Sequence, residues 1–220
     1  MNKVLTYSVY SGSALGDADW AEVSELFSSA YGFYSAKDPS GRAGRRIRLS
    51  PSYYRRVYAT DAYRVAVCRE GEKLVAEAVF RVYETSRGQA ALVVQLVVEE
   101  QYRRRGIASN LLRKISGVAD FFCLGVVTSN PFTVRALESA TSRRVDLKAM
   151  MVHEAVIRNE ILASVDFLQT AQWRISSAES VIGSGFYTDR SSASEVTEIL
   201  SAQLGILPEG YEWLAFVFHE

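Results

Sequence analysis

Hydrophobic positions change period several times along the chain, and each change marks an element. Residues 4–10 alternate as a strand does, and the spacing then lengthens. Trp20, Val23, Leu26, Phe27 and Ala30 fall on one helical stripe, with Asp17 or Asp19 placed to cap it. Residues 35–49 are rich in Gly, Ser and Arg and read as a loop. Ser50-Pro51 then supplies a helix start, Ser as N-cap and Pro at the first helical position, for a short helix ending near Tyr58. A three-strand meander follows at 63–69, 74–83 and 90–98, turned by Glu70-Gly71-Glu72 and by Ser86-Arg87-Gly88. Its last strand is apolar on both faces except at Gln95, which places it centrally in a sheet.

Helical period returns with Ile107, Leu111, Leu112, Ile115 and Val118. Residues 121–127 are an apolar strand and 131–140 a helix. The order β-α-α-β-β-β-α-β-α predicts an α/β (α+β) fold, a mixed central sheet flanked by helices with a β-α-β unit in its middle. Beyond Val145 the pattern predicts a strand at 147–152, helices at 154–167 and 194–204, and a last strand at 213–218. No repeat or linker intervenes, so 1–220 reads as a single domain: a core over 1–150 and a helical and strand elaboration over 151–220 that completes the sheet.

The chain has 220 residues, 48% of them hydrophobic, enough for one substantial core. Charge balances, 25 Lys and Arg against 25 Asp and Glu, so the whole molecule is no obvious polyanion binder. The balance is uneven along the chain, however. Lys37, Arg42, Arg45, Arg46, Arg48, Arg55 and Arg56 stand against Asp38 alone, whereas from His153 onward ten acids face three arginines. Cys68 and Cys123 lie in apolar strands and read as buried, reduced thiols. With two distant histidines and no CxxC or HExxH spacing, no metal site is expected. No apolar run approaches the about 20 residues of a membrane span, and the N-terminus lacks a signal peptide's apolar segment, so a soluble, cytoplasmic protein is expected.

The chemistry concentrates at Val97-Val98-Glu99-Glu100-Gln101-Tyr102-Arg103-Arg104-Arg105-Gly106-Ile107-Ala108-Ser109, where a buried strand ends, a basic turn follows and a helix opens at a glycine. Unpaired N–H groups and the macrodipole make such a helix start attractive to phosphate. Gly106 and Ala108 keep side chains out of the way, so a pyrophosphate can approach the backbone. Arginines at a helix start oppose the dipole unless an anion compensates; the alternative is a merely solvated turn. The segment lacks the glycines of GxGxxG and the Gly-Lys of a P-loop. Arg103-x-x-Gly106-x-Ala108 instead resembles the Q/R-x-x-G-x-G/A motif of the GNAT acetyltransferase superfamily. The strand at 121–127, followed by Thr128-Ser129-Asn130 and a helix, extends that resemblance over roughly residues 60–140.

The resemblance implies a GNAT fold that binds acetyl-CoA as cosubstrate in a split between two central strands. By the same resemblance, backbone at Leu96, Val97 and Val98 would hold the pantetheine and thioester carbonyl. The turn comprising Arg103, Arg104, Arg105, Gly106, Ile107, Ala108 and Ser109 would hold the pyrophosphate, and Asn130 would contact the coenzyme arm. The proton-handling positions depart from the family: Leu137 stands where many members carry a Tyr, and Leu92 where one class carries a base. Gln95 is the candidate catalytic residue, able to hold a water or the acceptor; it could equally be a buried Gln satisfied by backbone. The expected activity is N-acetyl transfer to an unidentified amine by direct attack on the thioester. One alternative is the same chemistry on aminoacyl-tRNA or another phosphate-bearing acceptor, with RNA gripped by the segment from Arg42 to Arg56, where arginines interleave with Tyr53 and Tyr54. Another is a CoA-binding or partner-binding module that has lost turnover.

Overall fold

Alternation along the second strand sets the layering. Val65 and Val67 join one apolar cluster, Ala66 and Cys68 the other, so both faces of the sheet are covered. A computed structural model describes residues 4–165, 168–191 and 194–219. It contains eight strands: β1 Leu5–Ser11, β2 Tyr63–Glu70, β3 Lys73–Thr85, β4 Gly88–Val98, β5 Cys123–Thr128, β6 Gln172–Ile175, β7 Ser180–Gly183 and β8 Glu212–Phe218. They form one sheet in the order β1-β2-β3-β4-β5-β8-β7-β6, with β4 and β5 parallel and the other neighbours antiparallel. The mixed sheet flanked by helices is the GNAT fold that the sequence implied.

One face is covered by α1 (Asp17–Ala30) and α2 (Pro51–Tyr58), whose Trp20, Phe27, Tyr54 and Tyr58 pack on Val65, Val67, Val79 and Val97. Helix α1 starts after Gly16, and Asp19 reaches back to accept from the Gly16 N–H at 2.9 Å. Ser50 caps α2 as expected, accepting from the Tyr53 N–H at 3.2 Å. The other face carries α3 (Ile107–Ser116) and α4 (Pro131–Thr141); the α3 residues Ile107, Leu111, Leu112 and Ile115 are all buried. Cys68 and Cys123 are buried and unpaired.

The C-terminal third corrects several expectations. Residues 147–152 form a helix, α5 (Leu147–Val152), rather than a strand. Asp146 caps it by accepting from the Lys148 N–H at 2.9 Å, and of its apolar residues Met151 and Val152 stay exposed. The helix expected over 154–167 is broken into α6 (Glu154–Val156), a π turn at Ile157–Ile161 and a 3-10 turn at Leu162–Ser164; residues 166–167 lie outside the described chain. Strands β6 and β7 were not anticipated. The helix α7 (Ser194–Leu204) and the last strand fall where the pattern put them.

Candidate functional site

The site begins with an irregularity in β4. Pairing with β3 runs Val79 to Gln95 and then Phe80 to Val93, so Val94 is an extra residue, a β-bulge. On its other side β4 pairs with β5 only from Ala90 to Val93, although β5 continues to Thr128, where it pairs with Trp213 of β8. A bulge bends its strand. Here the bend coincides with the end of the parallel ladder, and the two strands part. Main-chain groups of β4 from Val94 to Val98 on the β5 side therefore have no sheet partner.

Beyond β4 the chain makes a 3-10 turn, Glu100–Tyr102, and enters α3 through two left-handed residues, Arg104 (φ 61) and Gly106 (φ 75). A side chain begun at Gly106 would meet nothing within 4 Å, and no side chain caps α3, so its first N–H groups are open to a ligand. Arg103, though exposed, bonds to main chain: its Nε donates to the Val98 carbonyl at 3.0 Å and its Nη2 to the Ala30 carbonyl. Arg104 and Arg105 are exposed as well, with Arg105 lying over the Tyr102 ring at 5.2 Å. Ile107 is buried, and Ala108 and Ser109 are half-buried at the helix start. Asn130 caps α4, accepting from the Phe132 N–H at 3.0 Å. Leu137 and Leu92 are completely buried in the core.

Polar groups collect on the face of the split under α1 and α2. Gln95 accepts from the Tyr54 hydroxyl at 2.9 Å, and Tyr54 is itself fully buried. Glu77 of β3 pairs across the ladder with Val97 in the splayed part of β4. It is 0% exposed, and neither carboxylate oxygen has a hydrogen-bond partner among the described residues. Burial pushes its carboxyl up to about 8. Glu212, at the start of β8, is buried one residue before the Trp213–Thr128 pair. Burial raises its carboxyl to about 6 against the lowering effect of bonds from the Ser184 side chain and the Ser129 backbone. Both acids act on Tyr31, the residue that ends α1. Its phenol is held well above its ordinary value by burial first, then by Glu212 and Glu77. Glu77 and Glu212 are the site residues the sequence reading passes over.

Two chain segments close over this region. Tyr34 forms a bridge to Thr188, Ser35 N–H donates to the Tyr187 carbonyl at 3.1 Å, and Phe186 packs on Tyr31 with ring centroids 5.9 Å apart. The basic run nearby is largely engaged internally. Arg42 forms a bidentate pair with Asp38 and covers Tyr34; Arg46 donates to the Ser29 carbonyl over Phe33; Arg55 pairs with Asp17 at 2.7 Å; Arg56 lies over Tyr53. Lys37 reaches Glu209 at 3.8 Å. Within the run, Arg45 and Arg48 are the cations without a side-chain partner among the described residues. No helix of the described residues is long and apolar enough to cross a membrane.

The family model described as Acetyltransferase (GNAT) family matches residues 20–137. No curated protein matches the sequence. Among solved structures, a ribosomal-protein-alanine N-acetyltransferase from Brucella melitensis biovar Abortus 2308 is 20% identical, over 53% of this chain and 73% of that one, with a TM-score of 0.40. An aminoglycoside acetyltransferase from an uncultured soil metagenomic sample is 14% identical, over 64% and 88%, with a TM-score of 0.44. A diaminobutyrate acetyltransferase from Paenibacillus lautus, in complex with L-2,4-diaminobutyric acid and coenzyme A, is 14% identical, over 64% and 75%, with a TM-score of 0.40.

Proposed function

Because this chain belongs to the GNAT acetyltransferase family, matched over residues 20–137, we propose that it binds acetyl-CoA where β4 and β5 part and transfers the acetyl group to a primary amine. One coincidence carries this reading. The Val94 bulge, the end of β4–β5 pairing and the left-handed entry at Gly106 all fall on one side of the sheet centre. Main-chain groups on the β5 side of β4 between Leu96 and Val98, past the end of the β4–β5 ladder, suit the amide-rich pantetheine and the thioester carbonyl. The N–H groups from Arg104 through Gly106, Ile107 and Ala108 to Ser109 suit a pyrophosphate, and Arg104 and Arg105 add charge. Arg103 serves differently: its bonds to Val98 and Ala30 hold the turn against β4 and α1.

Gln95 is oriented by Tyr54, which occupies its Oε1 and leaves the Nε2 hydrogens for the acceptor or a water. Asn130, its Oδ1 used as a helix cap, keeps Nδ2 for the coenzyme arm. The acetyl donor supplies an activated carbonyl; the protein's part is to align an uncharged amine with it and to stabilise the oxyanion. Residues 1–220 act as one unit in this reading, with 151–220 completing the sheet beside β5.

Gly106→Glu tests the coenzyme site. A carboxylate would enter the open space at the helix start, so calorimetry should show acetyl-CoA affinity lost by at least tenfold. Gly106→Ala carries the same left-handed backbone strain, about 1 kcal/mol, without the charge, and should lose far less. Equal affinity in wild type and a folded Gly106→Glu variant would remove the pyrophosphate from this turn.

A further inference from the structure

Building on the acetyltransferase reading, we infer that the acceptor is a small cationic amine without phosphate, whose ammonium group is seated between Glu77 and Glu212 under Tyr31 and gives its proton to Glu77. Glu77 occupies a position where the sheet calls for an apolar residue. Its neighbours Val75, Ala76, Ala78 and Val79 are all 0% exposed, and the ladder partner Val97 is buried. A carboxyl in that setting with both oxygens unbonded gives nothing to stability, and ionising it there is costly. No lysine or arginine among the described residues bonds to it, and no cation among them is placed to pair with it.

Glu212 approaches the same space from the other half of the sheet. β3 and β8 are third and sixth in strand order, with the parted β4 and β5 between them, and both carboxylates act on the one phenol of Tyr31. The two acids thus bracket the split from either side. The remaining wall is aromatic: Tyr31 stacks on Phe27 with centroids 4.4 Å apart and meets Phe186. Carboxylates within aromatic walls suit an alkylammonium, which gains ion pairing and cation–π attraction together. A phosphate brought into this space would face two acids. Of the nearby basic run, Arg42, Arg55 and Arg46 are tied to Asp38, Asp17 and the Ser29 carbonyl.

The reaction balances with these groups alone. The ammonium gives one proton to Glu77, and the freed lone pair forms the C–N bond at the thioester carbon. The C–S bond breaks with its electrons on sulfur. The second nitrogen proton goes to the thiolate, and Glu77 returns its own to solvent.

The test uses the full chain with propylamine, 1,4-diaminobutane and phosphoethanolamine. On protein saturated with coenzyme A, calorimetry should show both phosphate-free amines binding, and phosphoethanolamine at least tenfold more weakly. Glu77→Gln, which keeps size and shape, should weaken the amines at least tenfold and lower kcat with acetyl-CoA at least a hundredfold. Glu212→Gln should raise KM for the amine with a smaller change in kcat. Infrared spectra of coenzyme-free protein should show a carboxylic-acid stretch that is absent from Glu77→Gln and lost on adding amine. Any of three results overturns the inference: phosphoethanolamine binding as tightly as the others, wild-type amine affinity in a folded Glu77→Gln variant, or no binding of either phosphate-free amine. Failure of coenzyme A to bind overturns the transferase reading instead, and the infrared result then decides this one separately.

Discussion

Glu77 lies in the sheet at 0% exposure with neither oxygen bonded among the described residues, and its carboxyl is pushed up to about 8 from an ordinary 4.5. Between those values the folded chain holds a proton that the unfolded chain has lost. Stability therefore falls as pH rises from about 4.5 to about 8, and below that window the penalty is absent. Glu212, raised to about 6, adds a smaller fall over the lower part of the range. Glu77→Gln removes the larger effect, so its urea midpoint should exceed wild type's by a margin that grows with pH and vanishes in acid. Parallel profiles would mean that the carboxyl is solvated or paired. The rule that singles out Gln95, a lone polar side chain in a buried strand, applies equally to Glu77 between Ala76 and Ala78. What the sequence cannot give is that Glu77 and Glu212, on the third and sixth strands, both act on Tyr31, since only the strand order sets their placing.

Among the elements, β4 carries the decisive shape. Removing Val94 would turn the Val79–Gln95 and Phe80–Val93 pairs into consecutive rungs without changing which face Gln95 occupies. A Val94 deletion should therefore fold with unchanged or higher thermal stability while losing most acetyl-CoA affinity, as read by calorimetry. Tight binding by the straightened strand would show that the bulge does not open the site. Nothing in the run from Ala90 to Val98 marks that bulge, for it contains neither Gly nor Pro. The α3 entry, by contrast, is written in Gly106 and its basic neighbours. The segment 147–152 misleads because its apolar run is short enough for either structure, and the Asp146 cap decides it. β6 and β7, four residues each, are too short for alternation to register.

Over the whole molecule, charge is arranged so that the basic run braces the segments over the site. Arg42 with Asp38 and Arg46 with the Ser29 carbonyl fix the loop between α1 and α2. Arg45 and Arg48 are the exceptions, exposed and without a side-chain partner among the described residues. An Arg45→Ala, Arg48→Ala double variant should keep its turnover and KM for a simple amine within twofold at low and high salt. A salt-dependent rise in KM would restore a polyanionic acceptor.

The placing of β8 has a consequence for how the protein is made. It comes last in the described chain yet lies sixth in the sheet, between β5 and β7. On the ribosome, β5 is finished while the strand that will cover its outer edge is still untranslated, and residues 129–211 must emerge first. Throughout that interval the nascent chain presents an open, apolar strand edge, the kind of surface on which chains associate with one another. The emergence of Glu212–Phe218 from the exit tunnel closes that edge and brings Glu212 to the split in the same event. A stalled or prematurely terminated copy therefore lacks half of its acceptor site and keeps its adhesive edge.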